Sequence, residues 1–473
     1  MDARYGERLE ALLVEAQVDA KMFEGLTERL VPFVEPFTRS ISQAKQRRRA
    51  ADFIAGLLSD VERKNAESIA YRHDQQCKEM QYFVGLSEWD HGPLFVELAT
   101  QVGRELGRPD GVIVFDPSSF AKKGTHSVGV QRQWCGRLGK IENCQVGVYL
   151  GYVSAEEHAL VSTRLYLPSD WAKDRKRCKK CHVPREVKFK TRHALCLEML
   201  DELGHLLPHS WIAGDDEMGR SSGFRRELRD RGERYLLAVP SNTLVRDLTA
   251  EVPKHDGPGA PRKSPFLRVD KYRASLPESA WTFLEVRDGE KGPLTVEAAT
   301  CRVQAKADGK RVGPEELLVI VRSRDDAGKL KHDYYLSNAA ADTPRLELAR
   351  VAKAEHRIED CLKRGKSEVG LADYEVRSWG GWYHHQALSL IAAWYVNGEL
   401  RNGKKNRPGF HLPATAAGHR ATTARRFRLR STAPHRLHLH APPRAQSSRP
   451  LLSQQTPQPL GTTGVTAPAI LEQ

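Results

Sequence analysis

Two short apolar runs in this chain each stop on an acid, and they narrow what the chain can fold into. GVIVFDPSSF starts at Gly111 and carries Asp116; WIAGDDEMGR starts at Trp211 and carries Asp215, Asp216 and Glu217. Each run is only a few residues long and is bounded by turn-forming residues, which suits a buried strand better than a helix. NCQVGVYLGYVS, STRLYLP and RYLLAVPSN are strand-like as well, whereas TRHALCLEMLDELGHLL and SGFRRELRDRGE have helical patterns. Strands alternating with helices predict an α/β layer sheet, covered on both faces where its strands are wholly apolar.

Around that core the texture changes. Residues 1–105 read as helices, with Leu9, Leu12, Leu13 and Ala16 at helical spacing, then Phe53, Ile54, Leu57, Leu58 and Val61. Between these lies KQRRRA, whose Arg47, Arg48 and Arg49 either grip phosphates or form a solvated helix face. Residues 106–247 hold the first part of the α/β core. Residues 248–345 are rich in Pro and Gly and contain TFLEVRDG, TVEAATCRVQA and ELLVIVRSR, a β-rich insertion expected to hang off the sheet. Helical character returns over 346–410 with LELARVAKAEHRIEDCLKRGKSEVG and WYHHQALSLIAAWYVNGEL, the second part of the core. Over 411–473 lysine is gone, Arg, Pro, Thr and His dominate, and a disordered tail is expected. The abrupt loss of lysine suggests a shifted reading frame; translating the gene in its other two frames tests that idea, which a missing helical continuation would end.

The formal charge of +14 points toward a polyanionic partner. Eight arginines against the single Glu472 put about +7 of it in the tail after Pro413, leaving about +7 on the body. Eight cysteines are too sparse for a disulfide framework. Cys178, Cys181 and His182 lack the second ligand pair a structural zinc needs. No apolar run approaches the roughly 18 residues that cross a bilayer, and the start has no basic-then-apolar leader. The expectation is a cytoplasmic, nucleoid-associated protein with no membrane partner.

Asp116, Asp215 and Glu359 are the candidate catalytic acids, the first two at strands and the third in a helix. Carboxylates gathered from distant segments make a hard-oxygen cage for Mg²⁺ or Mn²⁺. Two such ions about 4 Å apart activate an attacking oxygen and stabilise a leaving one at a phosphodiester. Successive strand residues point to opposite faces, so Asp215 and Asp216 cannot both aim into one site if the strand runs through them. An acidic triplet after a strand is equally an ordinary helix cap.

The chain resembles bacterial insertion-sequence transposases of the DDE type, which have an RNase H-like catalytic core. The likeness runs from about Val112 to Tyr395. It is carried by FDPSSFAKKGTHSVGVQRQWCGRLGKIENCQVGVYL, Leu165 to Ala172, GDDEMGRSSGFRREL, RYLLAVPSN and RIEDCLKRGKSEVGLADYEVRSWGGWYHH. It implies an RNase H-like mixed sheet flanked by helices, with Asp116, Asp215 and Glu359 as the catalytic, metal-binding acids. Asp216 would be a supporting neighbour. Relatives carry a Tyr, Arg, Glu, Lys signature in which the lysine follows the glutamate by seven positions. Lys366 keeps that spacing from Glu359, and Lys363 shares the face, whereas Ala352 and Glu355 replace the tyrosine and arginine.

Lys122, Lys123, Arg132, Arg137 and Lys140 follow the first acid, interleaved with glycines and Trp134, which suits phosphate contact and base stacking, or an ordinary basic hairpin. Trp379, Trp382, Tyr383, His384 and His385 begin the last helix; the tryptophans suit core packing, with His384 and His385 open to a substrate-side role. Together these features imply a transposase that cuts transposon ends and joins the 3′-OH to target DNA. Its partners would be double-stranded DNA, as inverted repeats and target, and a second copy of the chain at synapsis. An inactive DNA-binding relic, or a metal-dependent nuclease without strand transfer, fits the same residues.

Overall fold

The computed structural model describes residues 25–406 apart from 156, 252–262, 290–291, 308–311 and 326. The helix expected around Leu9 and the tail beyond 411 lie outside those residues.

Among the described residues five helices come first: α1 (Leu26–Thr38), α2 (Ala44–Leu57), α3 (Ala66–Arg72), α4 (Cys77–Gly85) and α5 (Gly92–Leu106). Phe53, Ile54 and Leu57 lie on the buried face of α2, as their spacing predicts. Asn65 starts α3 by accepting a hydrogen bond from the Ser68 amide at 2.8 Å.

The core follows with β1 (Val112–Ala121), β2 (Gln131–Cys135), β3 (Lys140–Val153) and β4 (His158–Tyr166). Next come α6 (Ser169–Lys173), α7 (Arg175–Lys180), α8 (Arg192–Leu203), β5 (Trp211–Gly214), α9 (Asp216–Arg220), α10 (Ser222–Asp230) and β6 (Tyr235–Ala238). β4, β3 and β1 pair antiparallel, and β5 then β6 join parallel to β1. This is the order of an RNase H-like sheet. Trp211 to Gly214 are all buried, as an inner parallel strand requires.

The insertion contributes β7 (Leu244–Asp247), β8 (Leu267–Arg268), α11 (Val269–Ala274), β9 (Thr282–Gly289), β10 (Gly292–Lys306), β11 (Val312–Arg324) and β12 (Leu330–Ser337). It does not hang off the sheet. β12 pairs antiparallel with β6, Leu336 opposite Leu237, so the described strands form one twelve-stranded sheet. A buried ion pair reinforces the join: Arg225 on α10 meets Glu316 on β11 at 2.9 Å, and the Tyr235 hydroxyl donates to the same carboxylate at 2.6 Å.

Three helices close the described chain: α12 (Arg345–Ala352), α13 (Ala354–Glu368) and α14 (Trp379–Asn406). The apolar run from Leu346 is therefore two helices, broken at Lys353. α14 threads the core, with Trp382 and Trp394 buried. His384 and His385 are buried beside them, 3% and 1% exposed, which removes the substrate-side role considered for them. The two ring nitrogens of His384 lie 3.0 and 2.9 Å from the carbonyls of Val84 and Trp89, only one of which the neutral ring can donate to, and His385 Nε2 lies 2.9 Å from the carbonyl of Gly370. A single apolar cluster runs from Leu30 to Val396, so the N-terminal helices share the core of the sheet. No helix among the described residues is long and apolar enough to cross a membrane.

Candidate active site

β1 does not stop at Asp116. Its pairing with β5 ends at Phe115 opposite Gly214, while its pairing with β3 continues through Asp116 opposite Tyr149 to Ala121. Pro117, which has no N–H to give, is tolerated where one neighbouring strand has run out. Asp116 and Asp215 are each the next residue after that last matched pair. Parallel neighbours lie about 4.8 Å apart, so the two acids emerge side by side at one edge of the sheet.

The three acids of the second run do three different jobs. Asp215 is extended (φ −68°, ψ −176°) and caps α9, its carboxylate accepting from the Met218 amide at 3.1 Å. The cap and the position beside Asp116 are thus properties of one side chain. Asp216 is exposed and meets Arg220 at 3.4 Å. Glu217 turns the other way, to Arg192 at the start of α8, at 2.5 Å.

α13 lies across β1, β3 and β4. Its buried residues are Ala354, Arg357, Ile358, Leu362 and Gly365. Lys366, at its C-terminal end, donates to the Ser118 hydroxyl at 2.8 Å, two residues past Asp116. Glu359 lies two turns earlier, 56% exposed and 3.1 Å from His356 Nδ1. Glu355 lies one turn further back and closer to the buried face. Among the described residues no hydrogen-bond donor or cation meets the carboxylate of Glu355 or of Asp116.

Electrostatics mark this edge as unusual. Burial, with Asp215 and Glu359 nearby, pushes Asp116 well above the usual carboxylate range. Burial also raises Asp215, to about 7, against the pull of its Met218 hydrogen bond. Glu355 is pushed well up by burial and then by Asp215, Glu359, Asp116 and Asp333. Lys366 is drawn down by burial and held up in part by Asp116. Carboxylates that share a site without a cation oppose one another, and no three described His, Cys, Asp or Glu side chains already meet as a closed ligand set. The donors are nevertheless all hard oxygens with free lone pairs, the chemistry that suits Mg²⁺ or Mn²⁺.

Glu355 is the acid that sequence reasoning passed over, because it was read only as a departure from an arginine. A helical signal was present: eleven residues separate it from Lys366, about three turns, so the two share a bearing.

The basic residues fall into different settings. Arg132, Arg137 and Lys140 are exposed on the β2–β3 hairpin, and Lys123 is exposed in the loop after β1. Lys122 is turned inward, donating to the Tyr374 carbonyl at 3.0 Å with its ammonium 3.5 Å over that ring, and burial lowers it to about 8. Lys363 is exposed. In the N-terminal helices Arg48 is exposed, Arg47 bonds the carbonyls of Ile41 and Ser42, and Arg49 pairs with Glu79. Cys178 and Cys181 are buried, their thiols directed at the carbonyls of Trp171 and His126, as befits packing groups.

An RNase H-like sheet with acids at the ends of its central parallel strands is a nuclease fold. The sequence agrees: the family described as DDE superfamily endonuclease matches residues 36–293, more than half of the chain, and the protein belongs to that family. Among solved structures, the chain is similar to the piggyBac transposase in a cryo-EM synaptic complex with hairpin DNA. The match has 11% identity and a TM-score of 0.38, covering 89% of this chain and 83% of that one. No curated protein matched.

Proposed function

We propose that this endonuclease-family protein is a DNA transposase, cutting the ends of a mobile element and joining the freed 3′-OH to target DNA. The observation that carries the reading is the placement of Asp116 beside Asp215, with Glu359 and Lys366 brought over them by α13. Asp116, Asp215 and Glu359 would hold the divalent ions, which supply charge neutralisation and an activated oxygen when bound. The carboxylates fix that charge at a rigid sheet edge, so a phosphate docked there meets a preset field. Lys366, pinned to Ser118 beside Asp116, would supply positive charge to a phosphate held by those acids. The exposed Lys123, Arg132, Arg137 and Lys140 hold the DNA backbone nearby, with Lys363 and Arg48 as outlying contacts. The element's inverted repeats and the target are the DNA partners, and two copies of the chain pair the two ends.

The test is incubation with Mg²⁺ or Mn²⁺ and a supercoiled plasmid carrying the sequences that flank the gene. Nicks at the element's ends plus joined products support a transposase. Nicks without joined products reduce the protein to a nuclease, and binding without nicks to a DNA-binding relic.

A further inference from the structure

The β2–β3 hairpin presents a surface that catalysis does not explain. Alternation puts Arg132 and Trp134 on one exposed face of β2, and Trp134 pairs across the strands with Ile141. Trp134 is 58% exposed, Ile141 59% and Leu138, in the connecting turn, 45%. Three large apolar side chains on a protruding tip cost solvation unless something covers them. The opposite face is used internally, Gln133 accepting from Arg192 at 3.3 Å and Cys135 and Cys144 packing together.

The tip is also held in place. Its turn, Gly136–Leu138, ends on Gly139 in the left-handed region (φ 62°), where a side chain would be strained. The Arg137 amide approaches the Ser119 hydroxyl at 3.5 Å, next to the Ser118 that Lys366 engages. Asn143 ties the hairpin to the basic loop, donating to the carbonyls of Lys122 and Gly124 at 2.6 and 2.9 Å. The apolar tip therefore stands beside the Ser118–Ser119 stretch of β1 that follows Asp116, ringed by Lys123, Arg132, Arg137 and Lys140, with Glu142 the only acid in the hairpin.

A phosphate-seeking rim around an aromatic centre fits nucleic acid. Bases in an intact duplex hide their faces, so a flat indole gains by stacking only where a base is unpaired. We infer that the hairpin is a wedge that holds DNA open at the acid site, Trp134 stacking on an unpaired base with Ile141 and Leu138 against its neighbour. This rests on the proposed DNA-cutting function and adds the form of DNA that the site takes.

The test is anisotropy with two fluorescein-labelled DNAs of one sequence, one fully paired and one ending in an unpaired fork, in EDTA so that nothing is cut. Wild type should prefer the fork by roughly tenfold, the scale of one stacked base. Trp134→Ala should lose the preference while binding the paired duplex within about twofold, and Trp134→Phe should restore it. Trp134 is exposed, so these variants should fold; Ile141→Ser, on the same face, should weaken the preference. Equal binding of the two DNAs by wild type, or an undiminished preference in Trp134→Ala, overturns the wedge. Because Asp116→Asn should keep the preference, a chain that favours forks yet never nicks refutes the cutting function and leaves the wedge standing.

Discussion

Asp116 and Asp215 lie side by side, each one residue past the last matched pair of two parallel strands, Phe115 and Gly214. The segments between them fold back so that about a hundred residues of sequence separation shrink to one strand spacing. Two half-buried carboxylates at that spacing are a liability in the metal-free protein and an asset with a cation present.

That liability is measurable. Asp116→Asn and Asp215→Asn should each stabilise the metal-free protein by about 1–3 kcal/mol, by removing a charge disfavoured by burial and by its neighbours. Asn still caps a helix, so α9 is preserved in Asp215→Asn. Urea unfolding in EDTA checks this; both variants being less stable than wild type would contradict it.

Glu355 should share in holding the cation. Mn²⁺ should raise the thermal midpoint of wild type by neutralising these carboxylates, and Glu355→Gln should remove most of that rise. A full Mn²⁺ response in Glu355→Gln would place Glu355 outside the site.

How far the sequence revealed this site follows from what a one-dimensional pattern can encode. β1, β5 and their acids were legible because an apolar run that meets a charge is local information, and Lys366 was legible because seven residues is two helical turns. Glu355 was not, since its neighbours Asp215, at the cap of α9, and Asp333, on β12, come from distant segments. The β12–β6 pairing was hidden likewise: Leu336 and Leu237 are joined only by a register between distant segments. The burial of His384 and His385 escaped notice because their partners, Val84, Trp89 and Gly370, lie outside their own helix.

Those histidines make stability depend on pH. Burial holds His385 and His91 at about 4, and also lowers His384. Their folded pKa values lie below the unfolded value near 6.5. Their contribution is therefore complete above pH 6.5 and is lost as pH falls toward 4, by up to about 1.4 kcal/mol per unit for each group. Asp116, Asp215 and Glu355, raised by burial, act in the opposite sense over the same interval in every variant, so the histidine contribution is read as a difference: between pH 7 and 5 wild type should lose urea midpoint relative to His91→Gln, and a difference that stays constant over that interval would contradict this.

The insertion is joined to the core through a buried charge, and cutting that join should be costly. Glu316→Ala would leave Arg225 without its counter-charge in the interior and should lose about 3–5 kcal/mol of stability. A loss below about 1 kcal/mol in urea unfolding would show that the pair is dispensable.

The most direct test of the central claim is metal-dependent nicking of plasmid DNA carrying the element's ends, comparing wild type with Asp116→Asn, Asp215→Asn and Glu359→Gln. The account predicts nicking by wild type that disappears in EDTA and falls at least about a thousandfold in each variant, while gel-shift binding of the same DNA persists. Nicking at the wild-type rate by any of the three would remove that residue from the catalytic set, and nicking by all three would overturn the account.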